Sequence, residues 1–89
     1  MNNEIENLKK RLIYRSLYRG TKEMDKLIGS FVKEKINKFN TSQLQELEKF
    51  LSIDDDTLYR IYNDQIKSFK IDNISEEFIQ MYKSHVYKK

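Results

Sequence analysis

Tyr18-Arg19-Gly20-Thr21-Lys22-Glu23-Met24-Asp25-Lys26-Leu27-Ile28-Gly29-Ser30-Phe31-Val32 is the stretch that decides the fold. Met24, Leu27, Ile28, Phe31 and Val32 recur at spacings of three and four, and Ile36 continues the stripe. That period belongs to an α-helix with one apolar face, and it predicts a helix over residues 21–38. Gly29 falls inside it at a cost of about 1 kcal/mol relative to alanine. Close approach of a neighbouring helix explains a glycine there. Gly20 ends whatever precedes it, because glycine tolerates the left-handed backbone found after a last helical turn. Thr21 is placed to cap the new helix. Glu23 and Asp25 then lie in its first turn, where the helix dipole favours anions.

The same period extends in both directions. Residues 4–19 predict a first helix with Ile5, Leu8, Leu12 and Ser16 on one face and Ile13 and Leu17 beside it. Asn40-Thr41-Ser42 reads as a turn. Ser42 with Gln45 fits a capping box for a third helix that runs to about Leu51 and buries Leu44, Leu47, Phe50 and Leu51. Asp54-Asp55-Asp56 caps a fourth helix burying Leu58, Ile61, Tyr62 and Ile66. Asn73 or Ser75 caps a fifth, which carries Phe78, Ile79, Tyr82 and Val86. Strand-like alternation is absent. The expected fold is all-α, a compact bundle of five short helices forming a single domain over residues 1–89.

Composition excludes much chemistry. Eighty-nine residues bury roughly 60–65% of their unfolded surface, enough for one modest core and no deep cleft. There is no cysteine and one histidine, which rules out disulfides and argues against a zinc site. The Asp54–Asp56 run lacks the glycine and terminal glutamate of a calcium-binding loop, so no metal is expected. His85, without a partner carboxylate or nucleophile signature, reads as a surface residue. No apolar run approaches the roughly 20 residues that cross a bilayer, so no membrane insertion is expected. The N-terminus shows no apolar signal core, and its early acids argue against a transit peptide; the chain reads as cytoplasmic and monomeric. No nucleophile–base pair points to an enzyme. The net charge of +3 is unevenly placed: residues 1–39 carry ten basic and five acidic groups, residues 40–74 four and seven. Such polarity steers a complementary partner.

Helix punctuation leaves Arg19 unexplained. It falls near the edge of the first helix's apolar stripe, where a partly covered guanidinium needs a partner. Glu23 and Asp25 are candidates within the chain; a carboxylate of another protein is the alternative, since the planar fork binds carboxylates with two parallel hydrogen bonds. Arg11, Tyr14, Arg15 and Tyr18 form a second stripe at i, i+3, i+4 and i+7, away from the apolar face. Tyrosine and arginine are enriched at protein interfaces. The same residues also suit covering helix ends, or contacting nucleic acid through phosphates and stacked bases. A small helical nucleic-acid-binding protein is therefore the competing functional class.

Arg19-Gly20-Thr21-Lys22-Glu23 resembles the RGxxE signature of the succinate dehydrogenase assembly factor 2 family, also called the SdhE or flavinator family. Glu23-Met24-Asp25 stands where that family commonly has Glu-Leu-Asp. Phe50-Leu51-Ser52-Ile53-Asp54-Asp55-Asp56-Thr57-Leu58-Tyr59 is similar to its second block, and the resemblance covers roughly residues 8–66. Tyr18 replaces a frequent basic residue, Thr21 a frequent apolar one, and Ile61 a frequent tryptophan. The resemblance implies a chaperone that binds the flavoprotein subunit of succinate dehydrogenase, or the related fumarate reductase, and promotes covalent FAD attachment. FAD would be the partner's cofactor, not one held stably by this chain. It also implies that Arg19, Gly20 and Glu23 enter the flavoprotein interface, that Asp25 supports the turn, and that Arg11, Tyr14, Arg15 and Tyr18 extend the surface.

Overall fold

A computed structural model of the chain describes residues 3–65 and 74–86. Five helices follow one another: α1 (Asn3–Leu17), α2 (Lys22–Lys35), α3 (Thr41–Phe50), α4 (Asp55–Tyr62) and α5 (Glu76–Lys83). No strand occurs among the described residues. The all-α bundle read from the apolar period is the observed fold. The expected burial of Ile66 and the expected Asn73 cap lie outside the described residues.

Local chemistry sets the helix starts. The Thr21 side chain accepts from the Met24 backbone N–H, and the Asp54 side chain accepts from the N–H of Thr57. Ser75 does the same for Phe78, so Ser75 caps α5. The third helix differs from its sequence reading. Its cap is Asn40, not Ser42, and the reciprocal box runs between Asn40 and Gln43, with bonds of 2.8 and 2.9 Å. Asparagine caps at least as well as serine, and starting two residues earlier adds half a turn of hydrogen bonds. α1 and α2 each end two or three residues before their predicted limits, at Leu17 and Lys35. Val86 lies beyond the end of α5 and is 85% exposed, so it is not part of that helix's buried face.

The core is built around one ring. Phe31 of α2 meets Phe50 of α3 and Phe78 and Tyr82 of α5 at centroid distances of 5.8, 5.9 and 5.6 Å. Offset and edge contacts of this kind add about 0.5–1.5 kcal/mol per pair to the burial itself. α4 joins through Leu58, whose carbonyl accepts from the Tyr82 hydroxyl at 2.7 Å. Hence one aromatic on α2 ties the N-terminal helical pair to the C-terminal half.

α1 lies on α2 where the side chains are small. Leu12 and Ser16 are buried, and the Ser16 hydroxyl donates to the Ile13 carbonyl at 2.6 Å. A Cβ on Gly29 would stand 2.9 Å from Leu17 Cδ2 and 3.7 Å from the Ser16 carbonyl oxygen. That is the close approach a helix-interior glycine implied. The pairing fixes the direction of α1, and with it the corner at residues 18–21.

His85 overturns its surface reading. It is buried, with Nε2 2.8 Å from the Ser30 hydroxyl and its ring 5.6 Å from Phe31. Its Nδ1 lies 3.6 Å from the Glu34 carboxylate, and its carbonyl accepts from the Tyr62 hydroxyl. The chain turns back after Ser84 and lays the imidazole against α2. Those partners sit about 50 residues upstream or more than 20, so the local neighbours of His85 do not reveal them.

The α4 cap gives a pH test. The Thr57 hydroxyl and then the Thr57 N–H donate to Asp54 and hold its carboxyl below the ordinary value near 3.8. A lowered folded value means that stability is fully present above about pH 3.8 and is lost as pH falls through the lowered value. Asp54→Asn keeps a capping acceptor but cannot titrate. In urea unfolding, wild type should exceed the variant near pH 6, and the gap should close as pH approaches 2.

Candidate functional site

The corner between α1 and α2 is assembled from both halves of the chain. Gly20 has φ +129°, a backbone conformation that side-chain-bearing residues rarely adopt. It lies in the link between Leu17 and Lys22, but it is not the left-handed helix stop its position predicted: α1 ends three residues before it, and its φ is far from the left-handed helical value. A Cβ added there would meet only Asp55 Oδ2, at an ordinary 3.6 Å, so the outer side of the glycine is open. Glu23 is exposed on the first turn of α2. Asp25 is half-buried and accepts the backbone N–H of Arg19 at 2.6 Å.

Arg19 itself turns inward. Its side chain is 8% exposed. Nε donates to Asp55 Oδ1 at 2.6 Å, Nη1 to the Leu51 carbonyl at 2.8 Å, and Nη2 to the Ile53 carbonyl. All three acceptors belong to the α3–α4 turn and the start of α4. Sequence distance hid the partner of the guanidinium, Asp55, 36 residues away; of the two nearby candidates, Glu23 and Asp25, Asp25 takes the backbone N–H of Arg19 instead. The carbonyls of Leu51 and Ile53 are free for Arg19 because α3 has just ended and α4 has not begun. The one sequence signal for Asp55 is its place in the acid-rich second block.

The other predicted stripe faces out. Tyr14 and Tyr18 are 64% and 68% exposed, with ring centroids 4.6 Å apart. Arg11 and Arg15 are exposed as well, and Arg15 Nη2 donates to the Ser52 hydroxyl at 3.2 Å. Tyr14, Arg15, Tyr18, Arg19 and Leu51 line a shallow depression of about 310 Å³. The structure thus brings the stripe and the glycine corner onto one continuous surface. Two large rings held together in water, beside two guanidinium groups, have the make-up of an interface anchor.

A family model described as the flavinator of succinate dehydrogenase matches residues 10–85. The chain belongs to this flavinator family. It is 41% identical over 56 residues to the mitochondrial succinate dehydrogenase assembly factor 2 of Dictyostelium discoideum, covering 63% of this chain and 40% of that protein. It is 36% identical over 56 residues to the Aspergillus flavus protein of the same name, covering 19% of it. With assembly factor 2-B of Drosophila willistoni it shares 34% identity over 85 residues, 92% of this chain and 53% of the relative. The chain therefore spans about half the length of these relatives or less. No solved structure matches it. The flavinator family is one of assembly factors rather than enzymes.

The matched region includes the glycine corner, the Arg19 tie and the tyrosine stripe. Among the described residues no helix is long and apolar enough to cross a membrane.

Removing the guanidinium leaves two turn carbonyls and a three-quarters-covered carboxylate without their donor. Arg19→Ala should lower the unfolding free energy by about 2–4 kcal/mol. Arg19→Lys should recover less than half of that, because one ammonium cannot reach three separated acceptors. Urea denaturation measures both; a loss below about 0.5 kcal/mol would mark the tie as an ordinary surface pair.

Proposed function

We propose that this chain binds the flavoprotein subunit of succinate dehydrogenase and promotes covalent attachment of FAD to it. Fumarate reductase, whose flavoprotein is related, is a second client of the same chemistry. The observation that carries the reading is the family match across a corner that is open at Gly20 and flanked by exposed Tyr14 and Tyr18.

The chain's own residues supply positioning. Gly20 lets a partner backbone come close, because no Cβ projects there. Glu23 offers a carboxylate at the start of α2. Arg11 and Arg15 offer cations along α1, and the tyrosine pair offers rigid contact area. Such a surface holds the flavoprotein's flavin, its acceptor histidine and its domains in one arrangement. The bond then forms within the flavoprotein, and FAD stays there. Orientation of this kind can supply several kcal/mol of a barrier without a catalytic group on the helper.

The mixed charge suits an extended partner surface. The stripe on α1 is cationic, while Glu23 presents an exposed acid in the first turn of α2, just past Gly20. A partner patterned the opposite way gains encounter rate and a fixed register.

Gly20→Arg closes the open side and places an L side chain at φ +129°. Mixed with flavoprotein subunit and FAD, wild type should raise covalent flavin, measured as in-gel fluorescence after denaturation. The variant should lose that effect by tenfold or more while keeping native helicity, about the loss of one interface hot spot. A helical Gly20→Arg chain that still supports full flavin attachment would refute the proposal.

A further inference from the structure

We propose that Asp55 is a positioning residue for flavoprotein docking: it holds Arg19, and through Arg19 it fixes the Gly20 corner against the α3–α4 turn. The inference rests on the docking reading above and goes beyond it, because Asp55 lies 32 residues past the end of the five-residue motif.

Glycine has the freest backbone of any residue, so its φ of +129° must be imposed by its surroundings. Three ties flank it. The Arg19 N–H is held by Asp25, and Thr21 is held by the cap bond to Met24 N at 3.2 Å. Both stay inside the α1–α2 pair. The third is the Arg19 side chain, which reaches across to Asp55 and two turn carbonyls. It connects the corner to the other half of the molecule.

The three consecutive acids divide their work. Asp54 caps α4, and Asp56 pairs with Arg60 at 3.2 Å, one turn on. Asp55 is the one whose carboxylate meets the guanidinium, at 2.6 Å. Its second oxygen lies 3.6 Å from where a Cβ on Gly20 would be. One carboxylate therefore grips Arg19 with one oxygen and sets the other beside the Gly20 corner. Asp55 sits in the first turn of a helix, so its own position is fixed by backbone hydrogen bonds. The guanidinium is too covered to greet a visitor, so its contribution to docking is geometric.

A double-mutant cycle tests this with Arg19→Ala, Asp55→Ala and the pair, titrated against isolated flavoprotein subunit. Amide hydrogen exchange of the free chain is read by NMR at Arg19, whose N–H is bonded to Asp25, with Leu27 and Ile28 as internal controls. Asp55→Ala should weaken binding about tenfold, and the double variant should bind no worse than Arg19→Ala alone. The Arg19 amide should exchange faster while Leu27 and Ile28 keep their protection. Should Asp55→Ala fail to fold, Asp55→Asn and Arg19→Lys carry the same cycle with the acceptors retained. Additive losses, undiminished binding by Asp55→Ala, or unchanged exchange at the Arg19 amide would each overturn the inference. If wild type itself does not bind, the docking reading falls and takes the inference with it; wild-type binding with an additive cycle sinks the inference alone.

Discussion

The guanidinium of Arg19 is where the two halves of this molecule are held in register. α1 and α2 pack on each other, and α3 to α5 gather around the aromatic centre, and this side chain joins the corner of the first pair to the turn of the second group, with Arg15 adding a bond from α1 to Ser52 in the same turn. Arginine is required because the acceptors are three and lie in different directions. A carboxylate oxygen, a carbonyl at the end of α3 and a carbonyl just before α4 match a planar fork and no smaller cation. The net gain in stability is modest, since covering the charge offsets part of the attraction. The larger effect is on geometry: a glycine is held in one conformation beside a helix start.

The rest of the chain makes that geometry rigid. Phe31 anchors α2 from beneath through rings on α3 and α5, and Gly29 lets α1 lie close enough for its direction to be set by contact. The surface above carries what the core does not need, namely the Tyr14–Tyr18 pair and the arginines around it. A preordered surface loses less entropy on binding than a mobile one. For a helper whose proposed task is to hold a larger protein in a reactive arrangement, that rigidity is the useful property.

Much of this was legible in the sequence because helical periodicity is a local signal. Met24, Leu27, Ile28, Phe31 and Val32 announce α2 and its buried face, and all are buried. Thr21 announces a cap and acts so, while Gly20 announces a break between helices but lies three residues past the end of α1 rather than directly after its last turn. What failed was long-range or depended on competing caps. Ser42 and Asn40 offer similar chemistry two residues apart, and hydrogen-bond geometry rather than composition selects Asn40. His85 and Asp55 find partners tens of residues away, so neither Ser30 nor Arg19 could be assigned to them by spacing. The tyrosine stripe was visible as a pattern because an outward face is also periodic. Its exposure needed the structure.

The proposed docking face can be tested directly. Tyr18 and Val86 are both well exposed, and they neighbour opposite ends of α2, whose 14 residues make a rod about 20 Å long. A photo-crosslinking side chain placed at either position reports what lies within a few ångströms. With the flavoprotein subunit present, position 18 should give a covalent adduct and position 86 should not. An adduct from position 86 with none from position 18 would place the partner elsewhere and contradict the account.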